Sequence, residues 1–242
     1  PTTDGTILVG GSYAVSQHVG IFFARYLADG RLDPSFGVDG TALVDTGTIA
    51  NANGAAIARR ADGTLTAAQI VHGESRLQLV FLRLTPDGAV DTSFGTRGRV
   101  AVDRDDFFGE VVGFLPDGGV VTSTYEVDDT THLQRYRGDG TLDTGFASPV
   151  IPGSSNAMTT DADGNIIITL DSFISNVAVL ARVLPTGELD STFGDAGTVT
   201  NEGPSAWNAV IVPRTGGGIL TGGWLSRPGV HHLEFVLRRY HD

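Results

Sequence analysis

A chain of 242 residues with 40% hydrophobic content can bury a sizeable core, which excludes a disordered polymer. A formal charge of −12 argues against nucleic acid and anionic membranes as partners, because both call for basic patches. The chain has no cysteine, so disulfides, thiolate catalysis and cysteine-ligated zinc are excluded. No window approaches the ~18 continuous apolar residues of a membrane-spanning helix.

The chain opens on Pro1-Thr2-Thr3-Asp4-Gly5 and runs straight into a strand, with no initiator methionine and no signal peptide. A removed leader and a start inside a longer protein are the two expectations. Five repeat units follow, at residues 1–50, 51–105, 106–152, 153–203 and 204–242. A complete unit reads as four strands, a to d. The first unit supplies only b, c and d: Thr6–Tyr13, Ile21–Leu27 and Thr41–Asp45. The second reads Ala55–Arg60, Thr64–Val71, Leu77–Leu84 and Arg99–Val102. The third reads Glu110–Leu115, Val120–Glu126, His132–Arg137 and a weak Pro149–Ile151. The fourth reads Ala157–Asp161, Asn165–Asp171, Val177–Leu184 and Thr198–Asn201. The fifth stops after a, b and c: Asn208–Pro213, Gly218–Leu225 and His232–Tyr240.

Alternation selects strands over helices. Leu77, Leu79, Phe81 and Arg83 fall on one face, and Gln78, Val80, Leu82 and Leu84 on the other. Both faces are largely apolar, as in a sheet sandwiched between two others. No apolar stripe with helical spacing persists over three turns.

Between strands c and d each of the first four units carries the same stretch, in the second unit LRLTPDGAVDTSFGTRG. Asp87-Gly88 is a tight-turn signal. Asp91 stands where a helical turn would start, so its carboxylate can accept orphan N–H groups. In the first unit Pro34 follows Asp33, as suits a first helical position. Gly37 and Gly95 suit a left-handed cap. Phe36, Phe94, Phe146 and Phe193 are expected to plug into the neighbouring repeat. They recur 58, 52 and 47 residues apart, so the loops vary on a constant frame. The third unit lacks the glycine after Phe146, which puts its d strand in doubt.

RYLADGRLDPSFGVDGTA, RLTPDGAVDTSFGTRGRV and RVLPTGELDSTFGDAGTV resemble the "delta sixty" repeats found in tandem in large secreted or surface bacterial proteins. The resemblance covers nearly the whole chain. It implies a propeller akin to the NHL and Kelch-like kinds and an extracellular habitat, and no activity. The spacing of four-stranded units implies the same fold, an all-β propeller of five blades whose boundary blades are each a strand short. Three closures fit that count: a five-bladed ring with an imperfect seam, a piece of a larger ring, and strand exchange between two chains. The five-bladed ring is the expectation, as a monomer or strand-exchanged dimer.

Candidate chemistry gathers on the face expected to carry the d–a and b–c loops. His18, His72, His132, His231 and His232 fall in or near b–c loops, beside Glu74, Asp103, Asp128 and Asp129. Imidazole with carboxylate suits zinc or another divalent metal. No cofactor is firmly implied, because equivalent loops around a ring lie too far apart to share one ion. At the expected channel mouth, Asn53, Phe108, Asn156, Trp207 and Asn208 combine flat apolar faces with amides, as polar-ligand pockets do. The preferred alternative is structural: Trp207 and Phe108 plug the channel and the asparagines satisfy buried backbone groups. Glu110 with Asp105 or Asp106 is the candidate catalytic carboxylate pair. The repeated pairs Asp29/Asp33, Asp87/Asp91 and Asp139/Asp143 are explained by turns and caps, not by calcium. No nucleophile elbow, zinc-protease motif or phosphate loop is present.

The expected function is an extracellular bacterial binding or scaffold module that takes a glycan or protein ligand on that face. The competing expectation is a hydrolase of a glycan or other polar substrate, working through those carboxylates or a histidine-bound metal. A purely structural repeat segment is the third.

Overall fold

In the computed structural model, the described residues are 5–15, 18–48, 51–52, 55–72, 77–104, 112–126, 128–172, 177–201, 206–214, 218–225 and 234–240; at 47–48, 51–52, 72, 77, 104, 201, 206–209 and 225 only the backbone is described. Among them all regular structure is β, and no helix is long and apolar enough to cross a membrane. The chain divides into two compact units, Pro1–Phe107 and Phe108–Asp242.

The first unit holds two sheets. The first sheet runs β1 (Ile7–Val15), β2 (His18–Tyr26) and β3 (Thr41–Thr48), which are strands b, c and d. The second contains β4 (Asn51–Ala52), β5 (Ala56–Arg59), β6 (Leu65–His72), β7 (Leu77–Leu84) and β8 (Arg99–Arg104). Both β4 and β5 pair with β6, so strand a is interrupted, and β6, β7 and β8 are b, c and d.

The second unit holds three sheets. The third sheet contains β9 (Val112–Phe114), β10 (Val120–Glu126), β11 (Thr130–Tyr136) and β12 (Ile151–Pro152). The fourth contains β13 (Ser154–Thr160), β14 (Ile166–Ser172), β15 (Val177–Val183) and β16 (Thr198–Asn201). The fifth contains β17 (Ala206–Pro213), β18 (Ile219–Leu225) and β19 (Glu234–Tyr240), which are strands a, b and c. The third and fourth sheets run a to d in order, all antiparallel. Among the described residues the first and fifth sheets have three strands each, as expected. The doubtful d strand of the third unit exists as the two-residue β12, paired with Thr130 and Thr131.

Adjacent sheets bury their facing sides. In the first unit Ile21 and Phe23 of the first sheet pack on Leu65, Ala67, Val80 and Leu82 of the second. In the second unit Leu133 and Ile151 pack on Ile166, Ile168 and Leu170, while Ile167, Leu180 and Phe193 pack on Ile219. Every residue of β14 is buried, as an inner sheet requires.

The c–d segments form as expected. The Asp33 carboxylate accepts the Ser35 N–H at 3.0 Å, and Asp91 and Asp190 accept the Ser93 and Thr192 N–H at the same distance. Gly37, Gly95 and Gly194 are left-handed, with φ of 58°, 53° and 56°. Phe36, Phe94 and Phe193 are buried. Without a glycine, the third segment keeps its cross-repeat bond: Ala147 N–H donates to the Thr186 carbonyl at 2.9 Å, as Gly37 N–H donates to that of Asp87 at 2.7 Å. Its Phe146 is only partly buried.

One residue in strand c was read from the sequence only as part of an alternation. Arg25, Arg83 and Arg182 each lay the guanidinium over the capped phenylalanine of the same unit, 4.8, 4.3 and 4.6 Å from the ring centroid. Arg25 Nε also donates to Asp33 and Arg182 Nε to Asp190, at 2.8 and 2.7 Å. Arg25 Nη1 then donates to the Pro86 carbonyl of the next sheet, and Arg135 Nη1 to that of Pro185. One cation thus ties cap, plug and neighbouring sheet.

Candidate functional site

One group of polar side chains that reach between sheets lies at the ends of β13 and β14, and another surrounds Gln69 of β6, which bonds Thr46 and Ser12 of the first sheet. In β13 the register shifts between Ser155 and Ala157, so Asn156 is the extra residue of a bulge. Bulges re-aim side chains. Asn156 is exposed, and its Nδ2 donates to Asp171 Oδ2 at 2.7 Å.

Asp171 and Ser172 are adjacent in β14 and therefore face opposite sides of the fourth sheet. Ser172 lies on the side of Leu170 and Ile168, which faces the third sheet, where its hydroxyl donates to Asp129 Oδ2 at 2.6 Å. Asp129 is itself buried in the β10–β11 turn, and Tyr125 donates to its other oxygen at 3.1 Å. That carboxylate is well provided with donors.

Asp171 is not. It lies on the side of Ile167, which faces the fifth sheet, and is 2% exposed. Its Oδ1 is buried with no hydrogen-bond partner, and so is Nη1 of Arg238 on β19. Burial pushes the Asp171 carboxyl up to about 6, against the opposing pull of the Asn156 hydrogen bond and the Arg238 charge. A buried acceptor and a buried donor of opposite charge are thus both unsatisfied at one sheet junction, beneath an exposed amide. A hydroxyl can donate to the first of these atoms or accept from the second.

Several residues singled out from the sequence lie outside the described residues: Asn53, Asp105, Asp106, Phe108, Glu110, His231 and His232. Trp207 and Asn208 stand on β17 and His72 ends β6, with only their backbone described. His18 begins β2, and its Nδ1 lies 2.8 Å from Asp45 Oδ2 on an exposed surface. His132 is not a loop residue: it lies inside β11, opposite Thr124, because strand c starts at Thr130. Among the described residues no group of three or more His, Cys, Asp or Glu could hold a metal ion. Of the expected ligand residues, the structure gives Asn156 a polar partner, and that partner is Asp171, which the sequence presented as the end of an apolar strand.

A groove of about 560 Å³ in the first unit lies between the capped turn after Phe36 and the Asp87-Gly88 turn. Its ionisable wall residue, Asp87, already accepts the Thr85 hydroxyl, so the groove adds no free polar anchor.

A family model described as a domain of unknown function (DUF5122), β-propeller, matches residues 2–36 and 60–94. The two matched stretches end on Phe36 and Phe94, so each covers an a–b turn, strands b and c, and the capped phenylalanine. No curated protein matches the chain. Among solved structures, a puromycin hydrolase is similar at 18% identity and TM-score 0.54, over 98% of this chain and 35% of its own. An exo-β-1,3-galactanase from Clostridium thermocellum aligns at 12% identity and TM-score 0.49, over 99% and 57%. A gluconolactonase from Xanthomonas campestris aligns at 13% identity and TM-score 0.45, over 85% and 65%. The chain spans less than two thirds of the length of each of these three. At these identities the likeness concerns the fold. Two repeats that match a β-propeller family model, within five antiparallel sheets of the same pattern, make this chain an all-β repeat protein of the β-propeller class.

Proposed function

We propose that the chain is a binding module of a secreted or surface bacterial protein, and that it takes a glycan at the junction marked by Asn156, Asp171 and Arg238. The observation that supports this reading is the pair of unsatisfied buried atoms, Asp171 Oδ1 and Arg238 Nη1, under the exposed Asn156 amide. Sugar hydroxyls admitted to this junction would donate to the first and accept from the second, while the exposed amide reads a neighbouring hydroxyl. The acidic surface, at −12, disfavours phosphate-rich partners.

Titration calorimetry with a panel of neutral oligosaccharides tests the reading. Binding by the parent protein, lost in Asn156→Ala and in Asp171→Leu, supports it. Equal binding by all three proteins, or none by the parent, removes the glycan site; a protein ligand then becomes the reading to pursue.

A hydrolytic variant rests on one observation, the carboxyl of Asp171 near pH 6, where a general acid works. Asp129 cannot serve as its partner across a scissile bond, because Ser172 holds it on the opposite side of the fourth sheet. Release of reducing ends from the same panel, abolished in Asp171→Asn, would establish the enzyme over the binding module.

A further inference from the structure

The five sheets use one register, so the same position can be compared from sheet to sheet. Take the side of strand c that carries the clamp arginine. In the first sheet Ile21 and Phe23 precede Arg25 on that side and are 0% exposed. In the fourth, Ala178 and Leu180 precede Arg182 and are 2% and 1% exposed. In the fifth, Phe235 and Leu237 precede Arg239, and both are 62% exposed. Around them Trp224 is 46% exposed and meets Phe235 edge-on, while Val210 and Val212 of β17 are also exposed. Two aromatics and three aliphatics on one face exceed the scattered apolar residues of an ordinary surface.

The first sheet shows the complementary case. Leu65 and Ala67 of β6, on the side covered by the first sheet, are 2% and 0% exposed. Counted from the preceding Asp-Gly turn, Ile7 and Val9 hold those positions in β1, and they are 45% and 42% exposed. The turn that goes with this face is open as well. Gly88 has Phe36 of the preceding sheet packed against it, whereas nothing lies within 4 Å of a Cβ built on Gly30.

Within each unit the described junctions therefore join a face of the Phe235–Leu237 type to a face of the Ile7–Val9 type. Two of these junctions also carry a defined polar bond, from the strand-c arginine to the carbonyl just before the next turn: Arg25 to Pro86 and Arg135 to Pro185. Arg239 and Ala28 occupy those two positions on the boundary faces.

We propose that copies of this chain associate head to tail, the outer face of the fifth sheet of one copy packing on the outer face of the first sheet of the next, with Arg239 donating to the Ala28 carbonyl. Such a contact is heterologous, so it closes into a ring or grows into a filament according to the rotation per copy.

Sedimentation velocity on the full chain over a wide concentration range tests the pairing. The weight-average mass rises at least twofold above 25.3 kDa as concentration increases. Leu237→Glu blocks one face and Val9→Glu the other, so each variant alone stays monomeric. An equimolar mixture of the two restores a dimer and nothing larger, through the one pairing left intact. Circular dichroism verifies that both variants are folded, and Arg239→Glu gives a second, fully surface block of the same face. A parent protein that stays monomeric at every concentration overturns the proposal. So does a mixture that fails to pair. Self-association of Val9→Glu alone would show like faces meeting, and would overturn it too.

Discussion

Arg182 lies 4.6 Å from the centroid of the Phe193 ring while its Nε holds Asp190 at 2.7 Å. The plug and the cap are thus fastened by the same cation, and the contact recurs at Arg25 with Phe36 and Asp33. Arg182→Lys keeps the charge but loses the planar stack and the directed Nε–H. It is expected to cost about 1–3 kcal/mol, the scale of a hydrogen bond to a charged group. The exposed Arg239→Lys should stay within ~0.5 kcal/mol in dilute solution. Urea unfolding of both variants checks the contrast, and equal losses would count against the clamp.

The plugs themselves should rank by burial. Phe36 and Phe94 are 0% and 5% exposed, whereas Phe146 is only partly buried and is followed by alanine instead of a left-handed glycine. Phe36→Ala and Phe94→Ala should each lose about 3–5 kcal/mol, the range for a buried phenylalanine. Phe146→Ala should lose less. A loss below one kcal/mol at Phe94, read from denaturant midpoints, would mean that the ring does not fasten the sheet.

Two glycines with one backbone geometry separate strain from contact. Gly30 and Gly88 have φ of 83° and 89°, so alanine is strained at both by roughly 1–2 kcal/mol. At Gly88 the added methyl also meets the Phe36 ring at 2.9 Å and the Gly37 nitrogen at 3.0 Å, while at Gly30 it meets nothing within 4 Å. Gly88→Ala is expected to be the more damaging by at least ~1 kcal/mol, the lower range for overpacking. Thermal midpoints of the two variants measure the difference directly.

Stability should depend on pH from two directions. The cap carboxyls of Asp33, Asp91 and Asp190 are held below the usual range, first by the hydroxyls of Ser35, Ser93 and Thr192. Depressed folded values contribute stability above the unfolded value, and that stability disappears as pH falls through the folded ones. Asp171 runs the other way, because its folded value of about 6 lies above the ordinary 3.8. Its contribution is fully present below the ordinary value and is lost as pH rises to about 6, by roughly 3 kcal/mol for a shift of this size. Asp171→Asn should therefore gain on the parent between pH 4 and 6 and keep a constant lead above it. A lead that does not change with pH would show that burial does not raise this carboxyl.

Turn chemistry and period-two alternation are local, so they were legible in the residues alone. Asp33, Asp91 and Asp190 cap, Gly37, Gly95 and Gly194 turn left-handed, and β7 and β16 occupy Leu77–Leu84 and Thr198–Asn201 as expected. The three strands described in each boundary sheet were legible for the same reason, since strands are counted between turns. The candidate site was legible only through Asn156. Asp171 reads as the end of IIITLDS, and its chemistry arises because alternation turns it toward the fifth sheet, where burial raises its carboxyl and leaves Oδ1 unsatisfied. The role of Arg25, Arg83 and Arg182 is non-local in the same way, since a cation in strand c gains its partner only when the c–d segment folds back over it. Sequence by itself determined where the chain bends and which residues alternate, because those preferences act within a few bonds. Tertiary structure alone decided which side chains lose water, because desolvation depends on the sheet that arrives from elsewhere in the chain.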